Sequence, residues 1–471
     1  MSEGSVNEGH EAQAGATATS EKDPPYPSNL YAWYCVIVLL GIYLNSFLDR
    51  QILGLVVDPM KTTMNISDSQ VGILMGLSFA LLYTTAGLPL GYLADRVSRR
   101  WLIVGGQAFW SVASVCFGLS RDYTQMLLAR VGVGVGEASL SPSAYSFIAD
   151  IFPPDKLGRA LSVYGMGIYM GGGLANLIGG QLLGSFAPDA LHNVPLAGER
   201  FGWQIIFFVI ALPTIPLTIL MMTLREPIRR GVGMVRDAAG NLRPQTVPVG
   251  QFFRYWWRNK RALLSHNVGF AFLSFSGYGA GFWMPTFFQR VHDWTPEQAG
   301  TNLGLVAMTA GPIGLFIGGW IGDWLNRKGH TDSKMRAGFI ASTAWFPFGI
   351  AVLLVPDGDL ALWLMVPTTI FAAMPWGIAP AAIQEVMPNQ MRGQASAVYL
   401  FILNLIGLGL GPTAVGFITD GVFGDPQKVH LSLLITTAGA HVVSSVLLFS
   451  GFRAFRESQA RREAWQPEAA A

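Results

Sequence analysis

The sequence predicts an all-α membrane protein in which twelve transmembrane helices form two pseudo-symmetric bundles of six. Three observations lead to this fold class: an apolar composition, twelve apolar stretches of membrane length, and motifs that occur once in each half of the chain. Of the 471 residues, 51% are apolar and only 13% are charged, whereas about a quarter are charged in a typical soluble domain. This composition argues against a soluble enzyme, and the net charge of +2 indicates no nucleic-acid partner.

Each apolar stretch is long enough for one helical span, because about 20 apolar residues cross the roughly 30 Å hydrocarbon layer. The predicted spans, numbered 1 to 12, cover residues 30–56, 69–92, 101–120, 123–149, 158–186, 202–224, 262–289, 298–320, 336–355, 360–384, 395–419 and 431–452. The predicted domains are a disordered cytoplasmic tail (1–28), a first bundle (29–224), a cytoplasmic linker with an interfacial helix (225–261), a second bundle (262–452) and a cytoplasmic tail (453–471).

The distribution of lysine and arginine predicts the orientation of the spans. If the chain starts inside, the segments on the cytoplasmic side contain 24 of the 31 basic residues and the opposite loops contain five. Both termini are therefore predicted to be cytoplasmic. In a bacterial host the membrane would be the inner membrane.

Two sequence motifs repeat between the halves. The run Gly91-Tyr92-Leu93-Ala94-Asp95 recurs 228 positions later as Gly319-Trp320-Ile321-Gly322-Asp323. Arg99-Arg100 after the first copy correspond to Arg327-Lys328 after the second. A second match at an offset of 235 pairs Asp150 with Glu385. Duplicated six-helix units in a membrane usually form a transporter whose site lies between the halves.

Charged residues far from the span ends are rare in this chain. Only Asp49 and Arg50 in span 1 and Arg130 and Glu137 in span 4 qualify. A charge near the bilayer centre costs about 2.5 to 3.5 kcal/mol on insertion scales, so these four residues are the candidate functional site. Helix rise places Asp49 and Arg130 at the same depth, which predicts an Asp49–Arg130 pair, with Arg50 reaching toward Glu137. The alternative is a permanently paired quartet that only fixes helix packing.

The second bundle is predicted to contribute a neutral wall to the site. Its inner spans carry no acid or base away from their ends, but they carry Ser274, Tyr278 and Trp283. Tyr43 and Asn45 in span 1 complete the predicted substrate-binding set. A cavity that is charged on one wall and aromatic on the other suits a molecule with an ionic head and a long tail.

The repeated motif predicts a gate on the cytoplasmic side. Asp95 is expected to meet the amide groups at the start of span 11 near Gln394, and Asp323 the start of span 5 near Arg159, because helix N-termini attract carboxylates. These contacts can form only while the inner ends of the halves are together. The other predicted gate residues are Arg96, Arg99, Arg100 and Arg327.

The linker contains aromatic residues that alternate with arginines. Phe252, Phe253, Trp256 and Trp257 are interleaved with three arginines between residues 254 and 261. This pattern predicts a helix in the membrane interface, with its rings at the headgroups and its arginines on anionic lipid.

The twelve-span pattern and the run from Gly91 to Arg100 resemble the major facilitator superfamily. Ser98 and Trp324 depart from the family's usual glycine and arginine. More narrowly, residues 44–50, Phe109-Trp110-Ser111 and the segment from Arg130 to Ser139 resemble the spinster branch, whose members carry sphingosine phosphate or lysolipids. The resemblance implies alternating access, with Asp49 as the proton-responsive acid and Arg50, Arg130 and Glu137 in the substrate cavity.

These observations favour a proton-coupled secondary transporter of an amphipathic anion that works as a monomer. The alternatives are a proton-driven drug or organic-anion exporter and a non-transporting lipid sensor with the same fold. Cys35 and Cys116 both lie in apolar stretches and no Walker A sequence is present, so we expect no metal, cofactor or ATP.

Overall fold

The computed structural model describes residues 25–230, 234–236, 242–244 and 247–465. Most of the predicted N-terminal tail, the last residues of the C-terminal tail and much of the linker lie outside these ranges. The described residues include nine helices that are long and apolar enough to cross a membrane. Spans 4, 5 and 7 complete the twelve. Spans 4 and 5 are each broken by a turn, and span 7 contains several glycine and serine residues. The predicted all-α membrane fold is confirmed.

The first bundle contains spans 1 to 6. Their helices are Asn29–Gln51, continued by the 3-10 turn Ile52–Leu55; Asp68–Met75 and Leu77–Ala94; Arg99–Leu119; Tyr123–Glu137 and Leu140–Ile151; Pro154–Gly165 and Gly167–Ser185; and Gly202–Ala211 and Thr214–Thr223. The loops add a short helix, Val57–Met64, and an antiparallel hairpin of Leu191–Val194 with Gly198–Phe201. Neither this helix nor this hairpin was predicted from the sequence.

The second bundle contains spans 7 to 12. Their helices are Lys260–Val291, Pro296–Arg327, Ser333–Leu354, Gly358–Val386, the segments between Asn389 and Phe423, and Val429–Glu463. A short hairpin of Met234–Arg236 with Leu242–Pro244 and the helix Val249–Arg258 precede span 7. Span 12 continues as a helix to Glu463, so the first part of the predicted tail is helical.

Span 11 is irregular. The α-helix Arg392–Leu403 is followed by the π-helical segment Asn404–Leu410, the α-helix Gly411–Ile418 and a second π-helical segment, Thr419–Phe423. π-Helical turns are rare and are often found at functional sites. Glycines at 407, 409 and 411 allow this span to approach spans 2 and 7.

The two faces of the bundle are named by their loops. The linker face carries the chain segment between spans 6 and 7, and the opposite face carries the helix Val57–Met64 and the hairpin after span 5. Matching ion pairs connect neighbouring segments within each half at the linker face. Arg99 binds Asp150 at 2.5 Å and Glu226 at 2.8 Å, and Lys334 binds Glu385. Lys334 and Glu385 follow Arg99 and Asp150 by 235 positions, so the repeat extends to the fold.

The halves touch in the part of the molecule near the opposite face. There spans 5 and 8 meet backbone to backbone, since a Cβ atom at Gly300 would lie 2.4 Å from the carbonyl oxygen of Asn176. Near the linker face, a Cβ atom at Gly158 or Gly393 would meet nothing within 4 Å. The halves are therefore closed together at the opposite face and separated at the linker face.

Candidate transport site

The predicted contact between Arg50 and Glu137 is present. Arg50 Nη2 and Glu137 Oε2 are 2.5 Å apart, and both side chains are buried. Three aromatic rings surround the guanidinium, with its central carbon 5.1 Å from the Phe47 centroid, 4.8 Å from Phe79 and 4.9 Å from Tyr83. These rings stabilise the cation by cation–π attraction in a place where water is scarce.

Glycines in span 4 position Glu137. A Cβ atom at Gly134 would lie 2.7 Å from the carbonyl oxygen of Phe79, and one at Gly136 would lie 2.8 Å from the amide of Trp110. Span 4 thus packs directly against spans 2 and 3, as the small-residue interpretation of the Gly132–Gly136 run requires. The first helix of span 4 ends at Glu137, where the backbone turns before Leu140.

The predicted Asp49–Arg130 ion pair is not formed in the described structure. Arg130 lies at the expected depth, but its guanidinium donates to the backbone oxygens of Asp49 and Leu74, each at 3.2 Å. Both carbonyls lie beside interruptions in their helices, at the 3-10 turn after Gln51 and at the break at Gly76. Carbonyl oxygens near such interruptions are available as acceptors, which explains why they take the guanidinium.

The Asp49 carboxylate instead accepts a hydrogen bond from the Ser114 hydroxyl in span 3. Its other oxygen, Oδ2, is buried without a hydrogen-bond partner among the described residues. Glu137 Oε1 and Arg130 Nη2 are also unpartnered there. A buried acid with an unused oxygen beside a cation is suited to accept a proton or a bound water.

Two cavities flank the Arg50 site. The apolar cavity, about 170 Å³, extends into the second bundle, and no charged residue lines it. Its lining includes Phe47, Gln51, Tyr169, Asn176, Tyr278, Trp345 and Trp376. The linker-face cavity, about 500 Å³, lies between spans 2, 4 and 11, and its lining includes Tyr83, Tyr92, Asp95, Tyr145 and Phe401. Phe47 lines one cavity and Tyr83 the other, and both rings contact Arg50, so the Arg50 site lies between the two cavities. Arg50 and Glu137 themselves line neither cavity.

The predicted substrate-binding residues have different positions. Tyr278 lines the apolar cavity, with its ring 5.6 Å from that of Trp376. Asn45 instead donates to Thr214 inside the first bundle, at 3.0 Å, and Trp283 donates to the backbone oxygen of Pro412. These two side chains connect helices to one another and do not line either cavity, which corrects their predicted placement.

Two further side chains from the predicted set also pack between helices. The Tyr43 ring stacks on Tyr164 with centroids 4.7 Å apart, and Ser274 lies against Gly407 in span 11. Neither lines either of the two cavities. Their positions differ from the prediction because the sequence indicates the depth of a residue but not the side of the helix that faces the cavity.

The predicted gate residues fall into two groups. Asp95, Arg96, Arg159, Asp323 and Arg327 are exposed at the linker face. Gln394, the expected partner region of Asp95, donates to the backbone oxygen of Val247. Since the halves are apart at this face, the expected contacts between them are not formed in this conformation.

Arg99 and Arg100 bind residues of the first half of the chain, which corrects their assignment to the gate. Arg99 is buried against Asp150 and Glu226, and Arg100 donates to the backbone oxygen of Leu224. Partial burial alone would raise the pKa of Glu226. Hydrogen bonds from the Arg100 amide and from the Arg99 and Ser98 side chains outweigh it and lower that pKa below its ordinary value.

A cluster of charged residues joins the halves at the opposite face, and sequence reasoning missed it. Arg290 in span 7 binds Asp58 at 2.6 Å and Asp68 at 2.8 Å, and Lys61 adds a contact of 2.7 Å to Asp68. Asp420 in span 11 accepts from the backbone amide of Ser69 at 2.6 Å. We call these residues the opposite-face cluster. They escaped the screen for intramembrane charge because they lie at span ends.

Within the described ranges, no group of three or more His, Cys, Asp or Glu residues has an arrangement that could hold a metal ion. The polar groups of the site are the Arg50–Glu137 pair, Asp49 with Ser114, and Arg130.

Comparison with known proteins identifies the family. The sequence model of the Major Facilitator Superfamily matches residues 39–412. The chain belongs to the Major Facilitator Superfamily. This transporter is similar to an MFS-type efflux pump of Mycolicibacterium smegmatis, at 26% identity over 92% of the chain and 95% of that protein. It is also similar to protein spinster homolog 1 of Rattus norvegicus, at 28% identity over 82% of the chain and 72% of that protein.

Solved structures agree with this assignment. A bacterial homolog of the human lysosomal transporter spinster, in an inward-facing and unoccupied conformation, matches the transporter with a TM-score of 0.72 and 26% identity, over 94% of this chain and all of that one. A D-xylose-proton symporter shares the fold, with a TM-score of 0.63 at 16% identity over 88% of this chain and 97% of that one. The predicted superfamily membership and the spinster-like character are both confirmed.

Proposed function

We propose that this transporter moves an amphipathic anion, of the lysolipid or sphingolipid type, across the membrane by proton-coupled alternating access. The observation that carries the proposal is the position of Arg50. Its guanidinium lies between an apolar cavity and a wider cavity at the linker face, separated from them by Phe47 and Tyr83. An anionic headgroup can bind this cation while an acyl chain occupies the apolar cavity, whose lining is uncharged.

Binding of the headgroup would compete with Glu137. The carboxylate occupies Arg50 at 2.5 Å in this conformation, and its second oxygen is unpartnered among the described residues. An anion that displaces it leaves a buried negative charge without its counter-ion, which is costly in a low-dielectric site. Proton uptake by Asp49 and Glu137, with Asp49 as the coupling residue, neutralises that charge. Substrate binding and protonation are therefore linked.

The orientation of the chain and its place in the membrane are part of the proposal. The excess of basic residues at the linker face supports a cytoplasmic location for this face and for both termini. The cavity near the linker face then makes the described conformation inward-open, as in the similar spinster homolog. In a bacterial host the transporter would work in the inner membrane, as a monomer.

A flux assay tests the proposal. Purified transporter is reconstituted in proteoliposomes with a labelled anionic lysophospholipid and an imposed pH gradient. We expect gradient-dependent flux in the wild type, a loss of at least tenfold in Arg50→Gln, and wild-type flux in Arg121→Gln, which removes an exposed charge at the opposite face. Absence of flux in folded wild-type protein would contradict transport of this cargo. Flux that ignores the gradient would contradict proton coupling.

The similarity to an efflux pump supports a second candidate, a proton-driven exporter of drugs or organic anions. The apolar cavity distinguishes the two functions, since a cargo without an alkyl chain would leave it empty. Competition between the lysophospholipid and aromatic organic anions of the same charge measures the difference. Preference for the compact anion would favour the exporter, and binding of the lysolipid without flux of any cargo would favour a lipid sensor.

A further inference from the structure

The helix Val249–Arg258 is attached to the second bundle at the linker face. Phe252 and Tyr255 are buried against the bundle, and the Tyr255 hydroxyl donates to the backbone oxygen of Val386 at the end of span 10, at 2.9 Å. Burial raises the pKa of Tyr255 to about 12, so this hydroxyl keeps its proton and remains a donor at neutral pH. The helix is thus held in a fixed position.

The other side of this helix carries large side chains that the protein does not cover. Phe253 is 52% exposed and Trp257 is 64% exposed, and the two residues are four positions apart, on one helical face. The Lys260 ammonium lies 4.5 Å from the centroid of the Trp257 ring. Aromatic rings beside basic groups at the end of a membrane bundle are typical of the lipid headgroup region.

A basic pocket lies where this helix meets span 7. It is a cavity of about 220 Å³, and its charged lining residues are Arg258, Lys260, Arg261, Arg461 and Glu457. Glu457 is already engaged, at 2.9 Å from Arg453 and 3.4 Å from Arg461. In the described part of the chain no carboxylate lies within ion-pair distance of the other three cations. The pocket therefore has excess positive charge.

Arg461 and the first residues of span 7 have defined positions at this pocket. Arg461 is oriented by Asn259, whose side-chain oxygen it binds at 2.9 Å, and by the backbone oxygen of Arg258 at 3.1 Å. Span 7 starts at Lys260, and the side chain of Asn259 makes no capping hydrogen bond to it. Lys260 and Arg261, the first residues of this 32-residue helix, line the pocket.

We propose that the basic pocket binds the phosphate headgroup of an anionic phospholipid from the leaflet at the linker face. The phosphate contacts Arg258, Arg261 and Arg461, and the acyl chains run along Phe253 and Trp257. The exposed aromatic face favours a lipid over a soluble phosphate, which would gain nothing from it. The pocket lies on the second bundle alone, away from the cavities between the halves, so it is distinct from the transport site.

Binding of defined lipids to the purified full-length transporter tests the proposal, with native mass spectrometry as the readout. We expect phosphatidylglycerol to bind at least tenfold more tightly than phosphatidylcholine. The double variant Arg258→Gln with Arg261→Gln should lose roughly tenfold or more of that preference, because each basic residue near a membrane surface contributes measurably to anionic-lipid binding. Arg461→Gln, tested separately, should weaken binding in the same direction.

A matched control removes two exposed charges at the other face, by Arg121→Gln with Lys428→Gln, and should keep the wild-type preference. Equal binding of the two lipids to the wild type would overturn the proposal, as would an unchanged preference in both Arg258/Arg261 and Arg461 variants. Glycerol 3-phosphate provides the remaining arm. If it displaces phosphatidylglycerol at equal concentration, the pocket is a site for soluble phosphate and the lipid assignment is wrong.

Discussion

The two ends of the contact between the bundles differ in how their charged residues are used. At the opposite face, Arg290 is buried and binds two carboxylates of the other half. At the linker face, Asp95 and Asp323 are exposed and the glycines at 158 and 393 have open space around them. Residues that hold one end closed are therefore engaged while those expected to hold the other end are not. This asymmetry is what alternating access between two closures requires.

Loss of Arg290 should have the largest effect on this asymmetry. In Arg290→Gln, Asp58 and Asp68 lose the cation that joins them to span 7. The cost should stay below the about 3 to 5 kcal/mol of a buried charge left without a counter-ion, because Asp68 keeps Lys61 and Asp58 is 42% exposed. The population should shift strongly toward opening at the opposite face. Spectroscopic distances between labels at residues 122 and 359 measure the change, and Arg290→Lys should retain part of the closure. Unchanged distances in Arg290→Gln would show that backbone packing alone closes this face.

Asp49→Asn should make transport, and with it the exchange between the two closed ends, independent of pH. The amide keeps the shape of the side chain but cannot titrate, so the pH dependence of flux should disappear while the protein stays folded. We expect the flux of the wild type to change at least tenfold across the pH range and the flux of the variant to be independent of pH. Ser114→Ala, which removes the hydrogen bond to the carboxylate, should shift the profile and not abolish it. A normal profile in folded Asp49→Asn would exclude this residue as the coupling acid.

Asp95→Asn should act on the closure that is absent from this conformation. A carboxylate at a helix N-terminus contributes about 0.3 to 2 kcal/mol, so its loss should reduce the linker-face-closed population several-fold. Labels at residues 155 and 389 should report longer distances under conditions in which the wild type closes. The linker-face-open form itself should be unaffected, because Asp95 is exposed in it. A distance distribution that does not lengthen would remove Asp95 from the gate.

Glu226→Gln should have the smallest effect and should not move either closure. The carboxylate supports the first bundle by bonding to Arg99 and to the Arg100 amide. Its folded pKa is lowered, so this support is complete above the ordinary pKa of a glutamate, about 4.3, and is lost as the pH falls through the folded value. We expect a stability difference of at most about 1 kcal/mol at pH 7, because 30% of the side chain is exposed. In thermal melts the difference between wild type and variant should shrink below about pH 4. A constant difference at all pH values would indicate a packing effect.

The sequence predicted the spans and the Arg50–Glu137 contact because charge is expensive in a membrane and stands out in apolar helices. It did not predict the Ser114 bond to Asp49 or the rings around Arg50, since neutral residues are common in apolar helices and the sequence does not show which helices are neighbours. Arg290 was overlooked because a charge at a span end is ordinary. Arg99 was misplaced because a repeated motif indicates which residues matter but not which neighbours they contact.

The π-helical segment Asn404–Leu410 interrupts the α-helical register of span 11. One extra residue fits into a turn there, so the helical pieces on either side are rotated relative to one another, by about 100° for each residue of slip. Thr413, beyond this segment, donates to the backbone oxygen of Gly72 in the other half, at 3.1 Å. A single deletion within the segment should make the α-helix continuous from Arg392 to Ile418 and turn Thr413 away from span 2. The position of this segment therefore decides which side chains the second part of span 11 presents to the first bundle.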